Sequence, residues 1–174
     1  VKEGLHCPLY TGTGYFEEKY ARDGRKATYL GCGFNEAWMQ EQGLEHRICD
    51  GYLELESGCY LVGNFERTHD FEQIPDRFVR HRGGQWVKDD FSDEICMVLD
   101  GAEGQTVIVG CSHPGILNIL TTVQKRFDKP IRAVFGGTHL VEADAGRIRA
   151  TASCRHSEYG CGICFKVMAN SYFW

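Results

Sequence analysis

Val107, Ile108 and Val109 form a short apolar, β-branched run, the composition of a strand covered on both faces. Gly110 breaks the run, and Ile116, Leu117, Ile119 and Leu120 then recur at the spacing of a helix with one apolar face. Ser112 is placed to cap that helix. Pro114 suits a first-turn position, where its missing N–H costs nothing. The pattern repeats once downstream: Ile131-Arg-Ala-Val-Phe135 reads as a strand, and Gly136-Gly137-Thr138-His139-Leu140 as the turn leaving it. Upstream, Ile95-Cys-Met-Val-Leu99 and Gln105-Thr-Val-Ile-Val109 flank Asp100-Gly101, which predicts a hairpin of two apolar strands. The amino-terminal third predicts scaffold. Residues 15–21 suit a short helix, Asn35 can cap a helix over 36–42 that ends at Gly43, and residues 76–91 read as a long exposed loop. Thr11-Gly-Thr-Gly14 lacks the length and lysine of a phosphate-binding loop and reads as a turn.

This pattern puts His113 and His139 in equivalent places, each in a turn at the carboxyl end of a strand, where α/β folds usually carry their chemistry. If the two strands are neighbours, both imidazoles face one cleft, and neutral imidazole is the commonest metal ligand. Taken singly, each is equally a hydrogen-bonded turn residue.

Composition narrows the class. With 174 residues and 43% hydrophobic content the chain suits one globular domain. It has no apolar run of about 18 residues and no signal-peptide pattern, which predicts a soluble, cytoplasmic protein without a membrane partner. A net charge of −5 with scattered basic residues argues against nucleic acid. Arg77, Arg80 and Arg82 read as a solvated loop, with phosphate steering as the alternative. The nine cysteines read mostly as reduced thiols, Cys96 and Cys111 as packed ones, with metal ligation or nucleophilic attack as the alternative for Cys111. Cys154, His156, Cys161 and Cys164 set four soft donors in eleven residues: a candidate zinc chelate, or an irregular end.

Two histidine motifs, Gly-Cys-Ser-His-Pro-Gly-Ile-Leu-Asn-Ile (110–119) and Gly-Gly-Thr-His-Leu (136–140), stand in order behind Leu61-Val-Gly-Asn-Phe-Glu-Arg67, Asp70-Phe71-Glu72 and Asp93-Glu94. Together, from about residue 58 to 149, they resemble the C-terminal half of the metallo-β-lactamase fold, in the branch similar to the dihydropterin–ribofuranosylaminobenzene phosphate synthase group. The resemblance implies an α/β chain forming part of an αββα sandwich, a single partial domain over 1–174 with a divergent tail from 150. The family's H-x-H-x-D-H motif has no counterpart among the seven histidines, so the chain reads as a piece of that architecture.

By resemblance, His113 is a metal ligand and His139 a ligand or a close neighbour of one. Asp93 or Glu94 orients a ligand histidine or manages protons. The implied cofactor is a divalent metal, zinc before manganese or iron, whose bound water attacks an ester or phosphoester. The implied substrate is a small molecule, phosphorylated or pterin-like, with Trp86 and Phe91 either lining its pocket or anchoring the loop. A catalytic zinc takes about three protein ligands, so two histidines make an incomplete centre. The competing expectation is a non-catalytic remnant, or a metal-binding module built on the tail cysteines. Bare sheet faces would favour a homo-oligomer.

Overall fold

The computed structural model describes residues 7–153. In chain order the elements are β1 (Leu9–Thr11), β2 (Lys19–Asp23), β3 (Lys26–Tyr29), α1 (Glu36–Glu41), β4 (His46–Ile48), β5 (Tyr52–Glu56), β6 (Cys59–Val62), β7 (Phe78–Arg82), β8 (Gln85–Lys88), β9 (Cys96–Gly101), β10 (Gly104–Ile108), α2 (Ile116–Phe127), β11 (Ile131–Phe135) and α3 (Ala145–Ser153). Five strands form the main sheet in the order β11-β10-β9-β6-β5, four form a second sheet in the order β3-β2-β7-β8, and β1 pairs with β4. The β9–β10 hairpin is antiparallel as its sequence predicts, and β10 and β11 run parallel side by side.

The core lies between the main sheet and α2. Val62, Val98, Val107 and Val134 from the strands meet Ile116, Leu117, Ile119, Leu120 and Val123 from the helix in one buried cluster. All four residues of the predicted helical stripe are 1% exposed or less, so burial of this face is the main stabilising term for α2.

The opposite face of the main sheet is apolar and, across β9, β10 and β11, partly open, while Leu61 on β6 is buried. Register places Leu61, Met97, Ile108 and Phe135 in one cross-strand row, and Cys59, Leu99, Thr106 and Ala133 in the next. Leu99, Ile108 and Phe135 are 40%, 39% and 51% exposed. The expectation of a strand covered on both faces is therefore corrected: Val107 and Val109 are buried while Ile108 between them is not. Continuous hydrophobicity here encodes two apolar faces, only one of which is covered among the described residues.

Other expectations also change. Residues 19–23 form β2 instead of a helix, and residues 76–91 contain the β7–β8 hairpin instead of one long loop. Arg80 in that hairpin is 1% exposed, so it is not part of a solvated group. Cys111 is exposed and Cys96 buried, so packing describes only the second. Asn35 caps α1 as expected, accepting from the Trp38 N–H at 2.9 Å. Ser112 does not cap α2. That role falls to Glu72, buried, whose carboxylate accepts the Leu117 and Asn118 N–H groups at 3.0 and 2.8 Å. It places negative charge at a helix amino terminus, where the dipole favours it. Gly115 permits this close approach, since it has φ +101° and a methyl there would overlap the Glu72 carboxylate.

The one-sided packing gives a direct stability contrast. Leu120→Ala should lower unfolding free energy by about 2–5 kcal/mol, whereas Leu99→Ala on the open face should cost about 1 kcal/mol or less. Urea unfolding of the two variants checks this, and equal losses would contradict the layering.

Candidate functional site

The ends of β10 and β11 are stitched together beyond their last paired residues. The Val109 N–H donates to the Phe135 carbonyl and the Gly137 N–H to the Gly110 carbonyl, both at 2.8 Å. Ser112 is fully buried, and its hydroxyl donates to the Gly137 carbonyl at 2.6 Å. Gly136, at φ +132°, passes so close to the Val109 carbonyl that a methyl would overlap it. Ser112 and His139 both sit in the left-handed region, at φ +62° and +42°, conformations that cost non-glycine residues about 1–3 kcal/mol and cluster where the surroundings hold them for a purpose.

These two turns bring the His113 and His139 rings to 4.4 Å between centroids, inclined at 46°. The equivalent turns read from the sequence, on strands that the structure pairs side by side, place them there. Glu94, just before β9, fixes the first ring. One of its oxygens accepts the Ser112 N–H at 2.6 Å, while the other accepts the His113 N–H at 3.0 Å and the His113 Nδ1–H at 2.9 Å. A carboxylate only accepts, so Nδ1 carries a proton, and in the neutral ring the lone pair is on Nε2. Phe91, at φ +51°, stacks flat on the same ring, 4.2 Å between centroids and 5° between planes. Phe78 meets both imidazoles, at 6.1 Å from His113 and 6.0 Å from His139.

His139 occupies the drier position. Its Nε2 is buried without a hydrogen-bond partner among the described residues. Burial first, and then the adjacent His113, push its pKa down to about 4, so the ring is neutral at neutral pH with an unused donor or acceptor atom. Nearby, Arg77 pairs with Glu142, holding that carboxyl below its usual range, and lies over the Phe78 ring at 4.1 Å.

The acidic pair divides. Glu94 serves His113, whereas Asp93 pairs with Lys19 and stands 3.6 Å from the Arg80 guanidinium. Trp86 packs against Tyr20 and His81 and is not among the rings around the histidine pair. Three other histidines have partners elsewhere: His46 with Thr11 at 2.8 Å, His69 with Thr121 at 3.0 Å and His81 with Glu18 at 3.0 Å. A cleft of about 280 Å³ beside the start of α2 is lined by Arg67, His69, Glu72, Lys88 and Asn118, among others, and includes neither His113 nor His139. Cys154, His156, Cys161 and Cys164 lie outside the described residues.

Sequence reasoning missed Phe78 and treated Phe91 as a loop anchor or pocket residue. No spacing rule links either to His113, because the second sheet brings them in. It also left Glu72 without a role, although an acidic side chain that caps a helix from 45 residues away has no local signature.

The pair fits a cation only in part. The unpartnered His139 nitrogen and the free His113 Nε2 are two suitable donors, but a catalytic zinc takes about three protein ligands. Among the described residues no group of three or more His, Cys, Asp or Glu side chains is arranged to hold a metal ion. The described residues therefore do not fit a complete centre.

No family model matches the chain. It is 31% identical over 103 residues to the 7,8-dihydropterin-6-methyl-4-(beta-D-ribofuranosyl)-aminobenzene-5'-phosphate synthase of Methanocaldococcus jannaschii, a match covering 57% of this chain and 35% of that protein. It is 28% identical over 128 residues to an uncharacterized protein of the same archaeon, covering 72% of this chain and 44% of the relative. The chain thus spans less than half the length of these curated relatives. Among solved structures it superposes on Tm1679, described as a metal-dependent hydrolase of the beta-lactamase superfamily, with a TM-score of 0.72 and 25% identity. That match covers 85% of this chain and 55% of the other. The α/β layers described above are accordingly part of the metallo-β-lactamase fold, and the chain's fold belongs to that superfamily.

Proposed function

We propose that this chain, acting alone, is a non-catalytic remnant of a metal-dependent hydrolase that retains one half of its metal centre. The observation carrying this reading is the apposed pair His113 and His139, held at 4.4 Å with a free Nε2 on one ring and an unpartnered Nε2 on the other, without a third donor grouped beside them among the described residues. In this reading His113 and His139 are the retained ligands and Glu94 orients His113. Asp93 secures the loop through Lys19 and Arg80 instead of handling protons. Turnover requires further donors, supplied by another segment or another chain, and zinc, manganese or iron suits the imidazole donors.

A complete enzyme built around this half would act on a phosphorylated, pterin-like small molecule. The support is the identity with a synthase whose name carries a dihydropterin and a 5'-phosphate. Self-association is favoured by the open apolar rows of the main sheet. No described helix is long and apolar enough to cross a membrane, and the six cysteines among the described residues are free, which suits a reducing compartment such as the cytoplasm.

Titration of the purified chain with zinc should show weak binding that His113→Ala or His139→Ala abolishes and Cys161→Ala/Cys164→Ala leaves intact. A chromogenic phosphodiester with added zinc or manganese should not be turned over. Binding lost only in the cysteine variant would reject the histidine half-site, and turnover lost in His113→Ala would reject the remnant reading.

The depressed pKa of His139 also has a sign. Between about 4 and the ordinary 6.5 the unfolded chain takes up the proton and the folded chain does not. The stability contributed by the neutral ring is therefore full above 6.5 and lost as pH falls from 6.5 towards 4. Urea midpoints measured across that interval should fall more steeply for the wild type than for His139→Gln. Parallel pH profiles would contradict the dry environment of this ring.

A further inference from the structure

We infer that Arg80, in the second sheet, is the positioning residue that sets the orientation of the His113 ring, acting through the 89–94 loop. The inference builds on the half-site reading of His113 and adds the device that holds its ring in place. Arg80 lies in the middle of β7, registered between Lys19 and Val87, with its side chain only 1% exposed. Every nitrogen of its guanidinium is engaged. Nε donates to Asp89 Oδ1 at 2.6 Å and Nη1 to Glu17 Oε2 at 3.1 Å. Nη2 donates to the Ser92 hydroxyl at 3.1 Å and pairs with Asp90 Oδ1 at 2.7 Å, with Asp93 Oδ1 at 3.6 Å. Four of these five partners are consecutive or nearly consecutive residues of one loop, gathered by one planar fork, a geometry that lysine cannot reproduce.

That loop delivers both groups that grip His113. Asp89 Oδ1, held by Arg80, also accepts the Phe91 N–H at 2.8 Å. Phe91 in turn occupies the left-handed conformation that puts its ring flat on His113. The Phe91 carbonyl accepts the Glu94 N–H at 3.1 Å, and Glu94 holds the Nδ1 edge of His113. Ser92 and Asp93 are further pinned to the turn after β1, the Ser92 hydroxyl donating to the Thr13 carbonyl at 3.1 Å and the Asp93 carbonyl accepting the Gly12 N–H at 2.9 Å. A buried, fully paired cation far along the chain from His113 therefore bears on that ring's face and edge without touching it. Buried ion networks of this kind are weak sources of stability but can specify a single arrangement.

The flat stacking of Phe91 should displace the His113 Hδ2 and Hε1 resonances upfield through its ring current, a signature that general destabilisation of a still-folded protein does not remove. In proton NMR at neutral pH, Arg80→Met should return these resonances to ordinary histidine positions. Arg80→Lys should lose the upfield displacement as well, because an ammonium cannot span Asp89 and Asp90 together. Arg82→Gln, which removes an exposed charge two positions along the same strand that pairs with Glu17, should leave them at the wild-type shift. If Arg80→Met does not fold, the milder pair Asp90→Asn/Ser92→Ala decides, with partial loss of the displacement expected. Wild-type His113 shifts in folded Arg80→Met, or in the milder pair, would overturn the inference, as would an equal change in Arg82→Gln. This readout needs no metal, so it stands or falls apart from the zinc titration.

Discussion

The Glu94 carboxylate is the constraint on which the rest of the site depends. It stands at the entry to β9 and accepts three hydrogen bonds from the turn that leaves β10, two from backbone N–H groups and one from His113 Nδ1. Each charge-assisted bond of this kind is worth about 1.5–3 kcal/mol. Together they hold a turn in which buried Ser112 adopts a left-handed backbone. Because β9 and β10 are hairpin partners, the carboxylate and the turn belong to one rigid unit. The parallel β11 then lies beside β10 and sets the His139 turn against it.

Two sheets share the work. The main sheet, backed by α2, carries both histidines at adjacent strand ends and supplies the core that keeps those ends in register. The second sheet contributes no histidine to the pair, yet through Phe78 and the loop that begins after β8 it brings the aromatic surfaces and the carboxylate that fix the imidazoles. The arrangement gives His113 a polar edge and an apolar face, while His139 has little of either hydration or hydrogen bonding. Under the proposed function, these two differently held imidazoles are the retained donors. Completion of a catalytic centre calls for donors beyond the described residues.

Three of the five strands of the main sheet, β9, β10 and β11, were legible in the chain because their signals are local, whereas β5 and β6 were not anticipated. Isolated β-branched runs, a glycine break and a helical stripe marked β10, α2 and β11, and equivalent turns pointed to the two histidines. The second sheet was not legible. Residues 76–91 are rich in charge, and charge ordinarily marks a solvated loop, but Arg80 is buried because Asp89, Asp90, Asp93 and Glu17 surround it. Residues 19–23 carry aromatic and charged side chains with weak periodicity, so only pairing with β3 and β7 makes them a strand. Ser112 was a sound local candidate for a helix cap, but its hydroxyl is taken by the Gly137 carbonyl and a distant glutamate caps the helix instead. Hydrophobicity likewise could not say which apolar faces are covered, since Ile108 and Val107 read alike in the chain and differ only in what packs on them.

The most direct test is the tautomer of His113, read by long-range nitrogen–proton correlation NMR at neutral pH. The account requires a protonated Nδ1 bound to Glu94 and a bare Nε2 directed away from it. A ring protonated on Nε2 with a bare Nδ1 would contradict it, because the Glu94 contact would then join two acceptors and the half-site would have lost the atom that defines it.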